Sequence, residues 1–155
     1  MTEVERIADQ LKRAVNGGAW HGPSVGEILA GISAEQATSR PFNAAHSIWE
    51  LALHIDAWLQ GCRRRLEGDR AQLSDAEDWP AVTDTSDQAW KATIAALTEA
   101  YDQLHAAILR LDDSRLEEPI LEGMSSVYIT LHGVIQHALY HAGQIAILKK
   151  ATSER

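Results

Sequence analysis

Apolar residues recur with helical spacing along most of the chain, so the pattern predicts an all-helical protein. A first helix is expected near the N-terminus, where one face carries Val4, Ile7, Leu11 and Val15. The run Asn16-Gly17-Gly18 marks the end of that helix. No stretch alternates apolar and polar residues in the way that a half-buried strand does, which favours the all-α class.

The next part of the chain predicts two short helical turns and a second long helix. The short turns are expected at residues 24–31 and after Ser33. The long helix begins at Ser47, because Ser47 and Glu50 have the spacing of a capping box. It ends near Gly68, and its apolar stripe consists of Ile48, Leu51, Ala52, Ile55, Leu59 and Cys62.

Two further long helices follow a polar segment, residues 69–86, which we predict to be a crossover loop. Trp79 lies in that segment and needs a packing partner. The third helix has the spacing of a bundle seam, which consists of Trp90, Ile94, Leu97, Tyr101, Leu104, Ile108 and Leu111. The fourth runs from about Ser126 to about Lys150 and is apolar around much of its girth, as expected of a central helix or a dimer interface. The prediction is an antiparallel four-helix bundle with a long crossover connection, one domain over residues 1–155.

Composition and charge narrow the function classes. The chain has 155 residues, 45% of them hydrophobic, which is enough for the core of one ordinary domain. Its net charge of -8 argues against nucleic-acid binding, which needs clustered Lys and Arg, and we interpret Arg63-Arg64-Arg65 as complementing a helix end. The single cysteine, Cys62, is interpreted as buried packing. With no visible signal peptide or membrane span, a cytoplasmic protein is expected.

Candidate chemistry comes from histidines. His137 and His141 are four residues apart and fall within the inward stripe of the fourth helix. Two buried imidazoles each need hydrogen-bond partners and repel when both are protonated, and a shared divalent cation resolves both problems. His54 lies at the edge of the second helix's apolar stripe, from which it can point toward them as a third ligand. Three histidine ligands leave a coordination position open, as in catalytic metal sites. Ordinary core histidines in a metal-free bundle are the alternative.

The other histidines and acids fit the metal site less well. His46 is eight residues from His54, too far along a helix to share an ion. No Glu follows His137, so the zinc-protease pattern is absent, and there is no di-iron Glu-x-x-His pair on these helices. Glu50 is expected to cap its helix rather than to support a ligand. Besides His46, the histidines not expected to bind metal are His21, His105 and His132.

Two segments, His46 through His54 and Gly133 through Ile145, resemble the DinB-like superfamily of metal-dependent helical bundles. The resemblance implies a four-helix bundle, often a homodimer, with a Zn or Ni ion held by His54, His137 and His141. It does not imply a DNA polymerase, despite a family name that refers to damage-inducible proteins. Characterised relatives include transferases and isomerases that use low-molecular-weight thiols such as bacillithiol or mycothiol.

Two functions of different classes follow from these observations. The first is a metal-dependent enzyme, of thiol-transferase or hydrolase type, that acts on a small molecule at the three-histidine site. The alternative is a non-catalytic, metal-stabilised dimeric module for binding or stress response, which the missing acid or base and the apolar fourth helix favour. The sequence names no catalytic residue and no substrate. A deep pocket over the three histidines would favour the enzyme.

Overall fold

The computed structural model describes residues 1–70 and 72–153, and seven α-helices account for most of this part of the chain. The helices are α1 (Glu3–Val15), α2 (Val25–Leu29), α3 (Ala34–Thr38), α4 (Ile48–Leu66), α5 (Asp75–Asp78), α6 (Asp87–Leu109) and α7 (Val127–Ser153). The four long ones, α1, α4, α6 and α7, form the predicted four-helix bundle. Within the described residues, no helix is long and apolar enough to cross a membrane.

Serine caps start α3 and α4 where the sequence predicts them, at Ser33 and Ser47. The Ser47 hydroxyl accepts from the Glu50 amide at 3.2 Å, and the Glu50 carboxylate accepts from the Ser47 amide at 2.8 Å. This reciprocal pair satisfies two amides at the start of α4. Glu50 therefore has the capping role that the sequence predicts. At the other end of α4, Gly68 adopts a φ of 91°, a left-handed conformation that glycine reaches at low cost and that ends the helix.

The long crossover sets the direction of the helices. The indole of Trp49, near the start of α4, donates to Thr93 Oγ1, near the start of α6, at 3.0 Å. Because both helices begin at this contact and pack along their lengths, α6 runs parallel to α4. In contrast, α7 runs antiparallel to α4, since Leu51 near the start of α4 and Leu148 near the end of α7 line the same pocket.

The crossover contains one helical turn that the loop prediction does not include. Helix α5 interrupts the segment, and Ser74 and Glu77 form its capping box. The same Ser-x-x-Glu spacing started α4, so this signal was present in the sequence but belongs to a stretch without apolar periodicity. The turn positions Asp78 and Trp79 against the bundle.

One continuous hydrophobic core includes residues from all four long helices. All six residues of the predicted α4 stripe are buried. On α7 the residues of the inward stripe are also buried, namely Val127, Leu131, Val134, Ala138, Ile145 and Leu148, and the neighbouring Ile135 and Ala142 are only 7% and 2% exposed. One broad face of helix α7 therefore packs in the core, while Tyr140 and Ile147 on its outer face stay exposed. Its two histidines consequently lie in a region with little water.

Candidate metal centre

The structure brings His54, His137 and His141 together between α4 and α7. His54 lies in the second turn of α4 and is 5% exposed, while His141 on α7 is 6% exposed. His137 is half-buried one turn before His141. Because α4 and α7 are antiparallel neighbours, the single histidine of one helix faces the pair on the other. The structure thus brings together the three histidines that the sequence predicts as metal ligands.

The ring nitrogens of the three histidines point toward a common region. The Nε2 atoms of His54 and His137 are 2.9 Å apart, and one ring nitrogen from each of the three residues lies within 4.8 Å of the others. Imidazole nitrogens that share a tetrahedral Zn²⁺ at about 2.0–2.1 Å lie roughly 3.4 Å from one another. The observed separations bracket this value, so the cluster could bind a metal ion.

Hydrogen bonds at Nδ1 fix the tautomers of two of these rings. His54 Nδ1 lies 2.7 Å from the backbone carbonyl of Asp78, which can only accept, so His54 carries its proton on Nδ1. His141 Nδ1 likewise donates to Gln144 Oε1 at 2.8 Å. In the neutral rings, both Nε2 atoms therefore present lone pairs, which is the form that binds a metal.

His137 is the least satisfied member of the cluster. Its Nδ1 is buried and has no hydrogen-bond partner among the described residues. Burial, together with the neighbouring His141 and His54, lowers the pKa of His137 to about 4. Burial also lowers the pKa of His141. Both imidazoles are accordingly neutral at physiological pH. A neutral imidazole whose Nε2 faces the Nε2 of a neighbouring imidazole can share a divalent cation with it.

Residues of the crossover support the His54 side of the cluster. The Asp78 carboxylate lies 3.1 Å from His54 Nδ1 and accepts from the indole of Trp58 at 2.7 Å. Trp79 stacks on the His54 ring with 3.8 Å between centroids, and His46 stacks on Trp79 at 3.7 Å. Two rings parallel to the same indole at these distances must occupy its opposite faces. Trp79 therefore has the packing partner it needs, and it separates His46 from the cluster.

The histidines that were not expected to bind metal lie away from the centre. His132 lies against Tyr128 with 4.4 Å between ring centroids, and His105 lies against Tyr101 with 5.6 Å between them. His21 is exposed in the loop after α1. None of these residues, nor His46, belongs to the three-histidine cluster.

A cavity of about 320 Å³ between α4 and α7 reaches the cluster at His137. Trp58 and Val134 contribute to its largely apolar wall, and Arg65 provides a cation. Cys62 also faces this cavity but is only 2% exposed, and burial raises the pKa of its thiol to about 12. A thiol that stays protonated is a poor ligand and nucleophile, which agrees with the packing role predicted for it.

Comparison with protein-family models gives one assignment. The model of the DinB superfamily matches residues 24–145 of this chain. The chain belongs to the DinB superfamily. The match includes α4, α6 and most of α7, and with them all three clustered histidines. Neither the comparison with curated proteins nor that with solved structures gives a match.

Two residues near the DinB histidine cluster were missing from the sequence prediction. Asp78 lies in the crossover, 24 residues from His54, and no periodic pattern shows where such a segment packs. For Arg65 the sequence prediction gives only the role of a helix-end charge. However, His54, Trp58, Cys62 and Arg65 follow one another at spacings of four, four and three, which places them on one face of α4. That spacing could have connected Arg65 with the site.

Proposed function

We propose that this DinB protein is a metal-dependent enzyme that acts on a small molecule, with one Zn or Ni ion held by His54, His137 and His141. The observation that carries the proposal is a set of converging imidazole nitrogens at the end of an apolar cavity. A divalent cation at this point would supply Lewis acidity that lowers the pKa of a thiol or water ligand. The cavity at His137 would admit the second reactant to the same point.

The residues around the histidines have supporting roles in this proposal. The Asp78 carbonyl and carboxylate orient the His54 ring and keep its proton on Nδ1. Gln144 does the same for His141. Trp79 covers the His54 ring and excludes water from that side. The protein would thereby hold two ligands in place and leave access from the cavity.

Of the two reaction types, thiol transfer is the one we favour. A hydrolase of this kind usually needs a carboxylate free to take a proton from water. Within residues 1–70 and 72–153, the carboxylate that contacts a clustered histidine is Asp78, and Trp58 and His54 already occupy it. A thiol that loses its proton on binding a metal has less need of a separate base. The thiol itself stays open, with bacillithiol and mycothiol as the compounds that relatives use.

A second candidate, a metal-stabilised dimeric module without catalysis, is supported by exposed apolar residues on α7. Ile129, Tyr140 and Ile147 are 59%, 68% and 61% exposed. Such apolar side chains on the outer face of α7 are suited to contact a second copy. A homodimer is compatible with the enzyme proposal as well, so the two candidates differ in catalysis rather than in assembly.

Metal content and thiol binding test the enzyme proposal. Untagged protein should contain about one divalent metal per chain by elemental analysis, and less than about 0.2 per chain after metal supplementation would contradict the site. Cobalt-loaded protein should change its visible spectrum when a small thiol such as cysteine is added. Metal binding without any spectral response to thiols and without turnover would support the non-catalytic module. Light scattering with and without chelator measures the dimer separately.

A further inference from the structure

We propose that the cavity between α4 and α7 binds the substrate as a small organic anion, with its acidic group on Arg65 and its opposite end facing His137. This inference rests on the function proposed above and names the chemical class of its substrate. The acidic group is a carboxylate, sulfonate or phosphate, which share the chemistry that a guanidinium recognises.

The shape of the cavity suits a ligand of this kind. Its volume of about 320 Å³ lies at the lower end of the range of about 300–1,000 Å³ found for small-molecule pockets. The aromatic face of Trp58 lies between the two ends, with its ring 5.8 Å from the His137 ring and 5.4 Å from the Arg65 guanidinium carbon. An apolar body that packs on this indole would leave a polar group at each end.

Arg65 differs from the two arginines that precede it. Arg63 pairs with Glu67 at 2.6 Å, and Arg64 pairs with Asp69 at 2.7 Å. No carboxylate in the described part of the chain forms an ion pair with Arg65, although the chain carries a net charge of -8. A half-buried guanidinium on a tryptophan face, without an anion of its own, is prepared to bind an anionic ligand.

The positive field of Arg65 acts inside the cavity. It opposes the burial that raises the pKa of the Cys62 thiol, and Cys62 lines the same cavity. The nearby hydroxyl of Thr130 donates to the backbone carbonyl of Ser126 at 2.9 Å, so it is not free to donate to a ligand. Arg65 is therefore the charged donor that a carboxylate entering this cavity would meet.

Gly133 keeps the cavity open. A Cβ atom built at this position meets nothing within 4 Å, although the residue lies inside α7 and lines the cavity. Glycine within a helix costs about 0.5–1 kcal/mol relative to alanine, so a side chain would improve the helix itself. The open space above Gly133 is thus a place where a substitution would fill the cavity without displacing protein atoms.

Calorimetric titration of the metal-loaded, full-length protein with phenylbutyrate and with phenylbutanol tests the anion site. The wild type should bind the carboxylate at least about tenfold more tightly than the alcohol, as one charge-assisted contact provides. Arg65→Gln should remove this preference, Arg65→Lys should restore part of it, and Arg110→Gln should leave it unchanged. Arg110 is the matched control because it is exposed and does not line the cavity. An undiminished preference in Arg65→Gln would overturn the proposal.

A second pair of variants tests the cavity itself. Gly133→Leu should abolish binding of both probes, whereas Gly143→Leu should bind them like the wild type. Gly143 is the matched control because it lies in the same helix with open space at its Cβ position but does not line the cavity. Unchanged binding in a folded Gly133→Leu protein would overturn the proposal, and Arg65→Gln decides the question if Gly133→Leu does not fold.

Chelator-treated protein separates this inference from the proposed function. If the protein holds no metal, Arg65-dependent binding of phenylbutyrate to the metal-free protein would still support the anion site. If metal and thiol bind as proposed but Arg65→Gln has no effect on the two probes, the anion site is wrong and the enzyme proposal stands.

Discussion

His54 and His137 face the same point in the bundle, but their surroundings are opposite in character. The His54 ring is held by Asp78 and covered by Trp79, so its Nδ1 is hydrogen-bonded and one of its faces is shielded. The Nδ1 atom of His137 is buried and has no hydrogen-bond partner in the described residues. The His137 side chain also lines the cavity between α4 and α7. One side of the cluster is fixed by its contacts, and the other is open.

This difference indicates how the work of the site is divided. A ligand whose second nitrogen is hydrogen-bonded keeps its orientation when a metal binds or leaves. A ligand beside a cavity can adjust its position as other molecules enter. The crossover therefore positions the site, and the gap between α4 and α7 provides access to it.

The largest effects are expected when His54 or His137 is replaced with alanine, and the two variants should differ in the stability of the metal-free protein. Both His54→Ala and His137→Ala should weaken metal binding by roughly 1,000-fold or more, since outer partners alone are worth about 10–100-fold. In metal-free protein the effects should differ. His54→Ala should lower the free energy of unfolding by about 1–3 kcal/mol, because it removes the hydrogen bond to Asp78 and the stack on Trp79.

His137→Ala should cost the metal-free protein less than about 1 kcal/mol, because removing the buried Nδ1 that has no partner offsets the loss of packing and of the Nε2 contact with His54. Metal titration and urea unfolding in chelator measure the two quantities. His105→Ala, outside the cluster, is the control for loss of a half-buried histidine. Equal destabilisation by His54→Ala and His137→Ala would show that the two sides do not differ.

Asp78→Asn tests the fixed side without removing a ligand. The variant keeps the backbone carbonyl that accepts from His54 but loses the negative charge 3.1 Å from the ring. Metal affinity should fall by about 10–100-fold, the usual effect of a lost carboxylate partner. Asp75→Asn, exposed in the same helical turn, should have the wild-type affinity. An unchanged affinity in Asp78→Asn would mean that the carbonyl alone orients His54.

The contrast between the two sides also explains what the sequence predicted. His137 and His141 share a helix with a clear apolar stripe, so their spacing and direction followed from helical geometry. For His54 the prediction depended on its position at the edge of the apolar stripe of α4, from which it could point toward α7. The burial of His54 agrees with that position. The long helices of the bundle were predictable for the same reason, because each carries its own periodic pattern.

The supporting residues could not be predicted in this way. Asp78 and Trp79 reach the site through a crossover whose packing depends on long-range contacts, and local pattern does not determine those contacts. The capping box at Ser74 could have located the turn but not its partner on α4. For Arg65 the situation is reversed. Helical spacing predicts that it lies on the same face of α4 as His54, but the sequence does not show that it lacks an ion-pair partner.

The pH dependence of stability should reflect the open side. Burial lowers the pKa of His137 to about 4 from its ordinary 6.5, so between these values the unfolded chain binds a proton that the folded chain does not. Stability is therefore complete above about pH 6.5 and falls as the pH drops toward 4. Metal-free wild type should lose on the order of 1–2 kcal/mol more than His137→Ala over this range, after allowance for partial solvent exposure. If urea unfolding shows the same loss of stability between pH 6.5 and pH 4 in the wild type and in His137→Ala, the lowered pKa of His137 does not contribute.

Removal of the Trp79 indole should have the smallest effect on metal affinity and should be confined to the fixed side. Trp79→Ala loses two ring stacks, on His46 and on His54, and should lower the free energy of unfolding by about 1–3 kcal/mol. Metal affinity should change less than in Asp78→Asn, because the hydrogen bond to His54 Nδ1 remains. Trp20→Ala is the matched control, since Trp20 is 100% exposed, and should stay within about 0.5 kcal/mol of the wild type. If Trp79→Ala also matched the wild type in urea unfolding and in amide exchange of α5, stacking would not hold the crossover, and Asp78 alone would fix this side of the cluster.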